Sequence, residues 1–286
     1  MKTAAPQVHG SVYTFTFGDT VFAVDAATAG RIAAFSLAGK NVLTAAKGPE
    51  DNNWGSTFWP SPQSAWNWPP PAEIDPGPYA ARVQGTSLVL ASPTFPGLGL
   101  AVTKRFSVDP DKAMVKVEYG IVNKGTEPCS TAPWEITRVA AGGLTFFPMG
   151  EGEPRRGPQE LLRLQMHAGV AWLASVRVPA GPDQKVFADG HEGWIAHVAG
   201  DLLLVKAFSD ISPAQAAPGE AEIELYTDPG RTYVEVENQG AYVSLPPGAA
   251  STWPVRWFLR TLDPSVAPQP GNAELLAIVR GLVKEG

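Results

Sequence analysis

The chain has a single cysteine, Cys129, among 286 residues. It can form no internal disulfide and offers no cysteine-rich metal site. Histidine is nearly as scarce. His9, His167, His191 and His197 are the full set, and no HxxH or HExxH spacing joins them, so no transition-metal site and no cofactor is expected. Basic residues are outnumbered, with 22 Lys and Arg against 28 Asp and Glu and a net charge of -6. No basic track runs along the chain, and the Arg155-Arg156 pair follows two glutamates, so nucleic acid is not an expected partner. A Gly-x-Ser-x-Gly elbow is missing, and the glycine-rich stretch Gly150-Glu151-Gly152-Glu153 is acidic and would repel phosphate. No hydrophobic run is long enough to span a membrane, and Met1–Gly10 lacks the apolar core of a signal peptide. The compartment stays open between cytoplasm and, where a leader has been removed, periplasm or exterior. Oligomeric state is equally open.

Tryptophan, proline and glycine are plentiful. The segment Asp51–Pro71, DNNWGSTFWPSPQSAWNWPPP, holds Trp54, Trp59, Trp66 and Trp68 together with five prolines. Prolines lack a backbone donor and clash with regular pairing, so the segment is expected to be an ordered loop and not a long helix or a central strand. Flat indoles beside Asn53, Gln63 and other amides and hydroxyls suit a sugar, which presents a C–H face and a rim of hydroxyls. The competing reading is that the tryptophans pack as core.

Elsewhere the chain reads as strands. Ser11–Phe17 alternates and turns at Gly18-Asp19 into Thr20–Asp25. Gly30 allows a tight approach before the strand Arg31–Leu37. Further strands are expected at Ala81–Ala91, Gly99–Val108, Ala113–Asn123, Ser130–Val139, Leu144–Pro148 and Val170–Val178. The series continues through Lys185–Asp189, Gly193–Val198, Leu202–Phe208, Glu220–Thr227, Thr232–Glu237, Tyr242–Leu245 and Ser251–Thr261. Glu160–His167 fits a short helix or a strand. The one clear helix follows Asn272, with Leu275, Ile278, Val279, Leu282 and Val283 at helical spacing. With no repeat and no linker, residues 1–286 are expected to form one all-β domain, a large antiparallel two-sheet sandwich with a short C-terminal helix.

Several segments resemble a known family. DAATAGRIAAFSLAGKNVL is similar to the opening hairpin of the galactose mutarotase-like (aldose 1-epimerase-like) superfamily. GLAVTKRFSVDPDKAMVKVEYGIVNKG resembles its middle and YVEVENQGAYVSLPPGAASTWPVRWFLR its end, in the family's order and over about half the chain. The Trp/Pro loop with PWEITRV resembles a bacterial branch known as a domain of unknown function. The resemblance implies the supersandwich fold and a sugar cleft on a concave sheet face. It also implies acid–base chemistry, in which a glutamate takes the anomeric proton while a histidine protonates the ring oxygen.

Glu237 lies in the segment matching the one that carries the family's glutamate. By alternation Glu235 and Glu237 share a face that Val234 and Val236 do not. Asn238 adds a further polar group that can hold a hydroxyl. Where the family places its histidine, this chain reads Trp134-Glu135-Ile136-Thr137-Arg138, a departure that removes the expected acid. Glu135 is then a candidate acid, and Arg138 a candidate ligand for the hydroxyls or carboxylate of a sugar. Strict alternation puts the two on opposite faces, a bulge near the cleft would break that alternation, and a structural Glu135–Arg138 ion pair is the alternative. Of the histidines, His191, beside Asp189, Glu192 and Trp194, is the best candidate for proton transfer, and His167 and His197 read as structural. Calcium on Asp51, Asp189 or Glu192 has no loop signature behind it. The expected partner is a small or oligomeric carbohydrate. Four outcomes stay open: epimerisation, lyase or glycosidase cleavage of an acidic or oligomeric sugar, binding without turnover, or a structural role in which the tryptophans are core.

Overall fold

A computed structural model describes residues 5–48, 51–156, 162–174 and 181–285. Among them, two large antiparallel sheets face each other. The first has twelve strands. Its middle runs in the order Arg31–Leu37, Ser56–Ser61, Cys129–Ala140, Tyr233–Gln239, Ile223–Thr227 and Gln184–Ala188. The second has ten, centred on Trp194–Ala199, Leu202–Ala207, Ala250–Thr261, Met114–Asn123 and Leu100–Asp109.

Period-two alternation gives each sheet two different faces. Phe22, Phe35, Phe58, Val139, Val234, Val236 and Leu225 meet Phe106, Val117, Tyr119, Val255 and Trp257 in one apolar layer between the sheets. The far side of the ten-stranded sheet is covered over part of its width by the helix Ala273–Glu285. Leu275, Leu276, Val279 and Leu282 pack there on Phe146, Trp172, Trp194 and Phe258. The Asn272 side chain accepts the backbone N–H groups of Glu274 (2.9 Å) and Leu275 (3.1 Å), satisfying two donors that the first turn leaves open. A third, smaller cluster of Trp59, Trp66, Ile74, Trp134 and Ile136 lies on the outer side of the twelve-stranded sheet.

The Trp/Pro segment departs from the expectation. Ser56–Ser61 is a fully buried strand in the middle of the sheet, paired with Cys129–Ala140 and touching Arg31–Leu37. Its proline is tolerated for a local reason. Pro60 sits opposite Pro133, and pairing with the strand on its other side is confined to Ser56–Ile32, so neither ring nitrogen is asked for a ladder bond. Gly55 permits this approach: its φ is +60°, and a β-carbon would stand 2.4 Å from the Ile32 carbonyl oxygen.

Other differences are small. The Ala81–Ala91 region is a hairpin of Ala80–Gln84 and Ser87–Ala91. The charged loop after Gly150 contains a two-residue strand, Arg155–Arg156, and the ambiguous stretch before His167 contributes the strand Gln165–His167. The strand from Val170 is described as far as Ala174; the remainder of that expected strand, with Glu160 and Leu161, lies outside the described residues.

Candidate functional site

The outer face of the twelve-stranded sheet carries a cleft of about 370 Å³ lined by Asn53, Trp59, Gln63, Trp68, Trp134, Arg138, Asp183, Lys185, Tyr226, Tyr233 and Glu235. Register explains why these residues meet. Trp134 and Arg138 alternate outward along one strand, Tyr233 and Glu235 along its neighbour, then Tyr226, then Lys185.

The walls are aromatic and fixed. Trp59 stands edge-on to Trp66, Trp68 and Trp134, with ring centroids 5.6, 5.9 and 5.4 Å away. Its Nε1 donates to Asp75 Oδ2 (3.2 Å), and the same carboxylate holds the buried Arg31 guanidinium through two bonds of 2.7 and 2.9 Å. Arg31 also donates to the carbonyls of Asn52 and Trp54 and stacks against the Trp54 ring. One arginine therefore pins the loop that begins the wall. Trp54 and Trp66 belong to this support and do not line the cleft; Trp66 is buried and donates to the Pro60 carbonyl (2.7 Å). Trp68 is different, 55% exposed at the mouth.

The floor is ionic. Arg138 Nε meets Glu235 Oε1 at 2.8 Å and its guanidinium lies over the Trp59 ring. Lys185 Nζ sits 2.6 Å from Glu224 and 3.3 Å from Glu237, over the Trp134 ring. Trp134 Nε1 donates to Glu237 Oε2 (2.8 Å), while Glu237 Oε1 is buried with no hydrogen-bond partner. Burial, with Glu237 nearby, raises the Glu235 carboxyl to about 7 against the pull of Arg138. Glu224 is raised well above the carboxylate range by burial and by Glu237, and Lys185 is held as a cation by its two glutamates despite burial.

Several expected site residues stand elsewhere. Glu135 points between the sheets. There its carboxylate accepts Tyr119 Oη (2.6 Å) and Trp257 Nε1 (3.1 Å) and pairs with buried Lys206 (3.2 Å). The strand does not bulge at this point, so alternation sends Glu135 and Arg138 to opposite faces and no Glu135–Arg138 pair exists. Asn238 is likewise buried on the inner face, opposite Glu237, and cannot reach the cleft. Glu237 is on the correct face but fully buried beneath the floor. His191 is an exposed turn residue 3.9 Å from Asp210 and does not line the cleft. His197 is buried and bonded to Thr145, and burial lowers its imidazole to about 4. Asp51 caps backbone amides of its own loop, Asp189 accepts the Glu151 amide, and Glu192 is paired with Arg280. Among the described residues no three potential ligands gather.

Asn53, Trp59, Trp68, Gln63 and Arg138 are thus the expected residues that the fold brings together. The reading of the sequence missed Trp134, Asp183, Lys185, Tyr226 and Tyr233 and passed over Glu235 for Glu237. Lys185, in QKVFA, and Tyr226, in IELYT, are outward-facing polar residues on strands whose alternate positions are apolar; that pattern was the available signal.

A family model described as a domain of unknown function, DUF4380, matches residues 47–260. No curated protein sequence matches the chain. Among solved structures, the Slr1438 protein from Synechocystis sp. PCC 6803 is 12% identical with a TM-score of 0.63, over 91% of this chain and 99% of that one. A galactose mutarotase-like protein from Lactobacillus casei is 9% identical with a TM-score of 0.61, over 87% and 100%. Another from Clostridium acetobutylicum is 8% identical with a TM-score of 0.59, over 90% and 98%. The chain has the galactose mutarotase-like fold, and at these identities the likeness speaks for the fold alone.

Proposed function

The chain belongs to the DUF4380 family, and from that premise and the geometry of its cleft we propose that it binds a saccharide there and moves a proton on it through Glu235. One observation carries the reading: a carboxyl raised into the neutral range stands at the floor of a cleft walled by indoles. Trp68 and Trp59 offer apolar faces for the C–H side of a sugar ring, and Asn53 and Gln63 offer amide groups for its hydroxyls.

In the simplest chemistry, an aldose 1-epimerisation, Glu235 takes the proton of the anomeric hydroxyl as the ring opens. The Lys185 ammonium, held as a cation, hydrogen-bonds the ring oxygen and offsets the negative charge that develops there. Reclosure on the other face returns the proton from Glu235 to the anomeric oxygen. This replaces Glu237 and Glu135 as the proton carriers, because one is sealed under the floor and the other lies between the sheets.

A second reading is binding without turnover. Its support is that none of the four histidines lines the cleft, among the described residues. The test is to follow mutarotation of a panel of aldoses with wild-type protein and Glu235→Gln. The enzyme reading expects a rate above background that falls about 10²- to 10⁴-fold in the variant with affinity nearly kept. Binding with no rate above background leaves the second reading. A panel that neither reacts nor binds rejects both.

A further inference from the structure

Both cations at the cleft already have counter-ions. Arg138 is closed on Glu235 and Lys185 lies between Glu224 and Glu237. Each also covers an indole, Trp59 and Trp134 respectively. An incoming carboxylate or phosphate would therefore have to displace a buried glutamate from its cation.

Acidic groups are in surplus. Glu224, Glu235 and Glu237 sit on or under the floor, and Asp183 is exposed at the rim with no ion-pair or hydrogen-bond partner among the described residues. The buried Glu237 Oε1 on this face also lacks a hydrogen-bond partner. Beside Asp183 stands Tyr226, which feels its charge, with the Tyr233 ring 6.3 Å from Tyr226 between centroids; neither ring carries an intramolecular cation of the kind found over Trp59 and Trp134. Electron-rich ring faces beside a carboxylate with no partner among the described residues form a place for a positive charge.

Resting on the saccharide reading above, we infer that the cleft takes a sugar bearing an ammonium group, with that group between Asp183 and the Tyr226 and Tyr233 rings. It discriminates against uronic acids and sugar phosphates. The guanidinium of Arg138, which the sequence offered as a grip for an acidic sugar, is the counter-ion of Glu235.

The experiment is calorimetric titration of the full chain with glucosamine, galactosamine and mannosamine, each beside its N-acetyl derivative, its parent hexose and its uronic acid. In the series with the right stereochemistry, the amine should bind about tenfold more tightly than the N-acetyl form, a difference of about 1.4 kcal/mol. The uronic acid should bind weakest. Asp183→Asn, a change at an exposed position, should reduce the amine's advantage to about twofold, and added salt should erode it in the wild type. A parent hexose binding as well as its amine, or a uronic acid binding more tightly than either, overturns the inference and leaves the saccharide reading standing. An amine preference that Asp183→Asn leaves intact overturns the assigned position. Failure of every sugar to bind removes the saccharide reading and this inference with it.

Discussion

Two carboxylate networks lie back to back across one sheet, and they are built differently. Glu135, inside the sandwich, is met by Tyr119, Trp257 and Lys206, and Lys206 is itself bonded to Thr137 and the Val236 carbonyl. Glu235, Glu237 and Glu224, on the outer face, share Arg138 and Lys185, and Glu237 Oε1 is left without a partner. The first network is shut off from solvent. The second opens to the cleft through Glu235 and Lys185. Position parity along adjacent strands decides which side of the sheet each glutamate takes. The contrast teaches that a glutamate on a sheet takes its role from the face it occupies more than from the motif around it.

Breaking the inner network should have the largest effect. Glu135→Ala leaves Lys206 buried without its counter-ion and should lower stability by about 3 to 5 kcal/mol in denaturant titrations. Pairing it with Lys206→Met should recover a large part of that loss. Little destabilisation by the single change would mean that the two networks differ less than their geometry implies.

The outer network should respond to pH. The folded Glu235 carboxyl is raised from 4.5 to about 7, so the native state holds a proton that the unfolded chain has released between those values. Its contribution to stability is therefore present below 4.5 and is lost as pH rises through about 7. Subtracting the stability of Glu235→Gln from that of wild type at each pH isolates this group. The difference should fall with rising pH by no more than about 3 kcal/mol. A flat difference would show Arg138 holding Glu235 ionised throughout, and would remove its fitness as a proton carrier near neutrality.

The smallest effect separates binding from folding within the outer face itself. Trp68→Ala should change stability by less than about 0.5 kcal/mol, since the ring is exposed. It should weaken sugar binding by about 0.5 to 1.5 kcal/mol, the worth of one aromatic contact. Trp68→Ala that melts the protein instead would assign Trp68 to the packing cluster with Trp66.

Much of this frame was legible in the sequence. The hairpin Val12–Phe17 to Thr20–Asp25, the long central strands and the Asn272-capped helix follow from local alternation and capping, which neighbours in the chain determine. Alternation also placed Glu235 with Glu237 and separated Glu135 from Arg138. What it left undecided was which face is the cleft, because that depends on where the other sheet lies. Asn238 was assigned by proximity to Glu237 in the chain, although adjacent strand residues point apart. Pro60 was read as forbidding a central strand because its partner, Pro133, is 73 residues further on. Lys185, on the strand Gln184–Ala188, and Asp183, just before that strand, lie 50 and 52 residues before Glu235, and only sheet order brings them together.

The exposure of Trp68 has an optical consequence. Of the nine tryptophans only Trp68 is exposed; Trp54 is half-buried and the other seven are buried. A collisional quencher such as acrylamide should therefore extinguish the emission of Trp68 well before that of the buried indoles. A ligand seated against that ring would shield it, so the mouth of the cleft carries its own fluorescent reporter and occupancy can be read without a label.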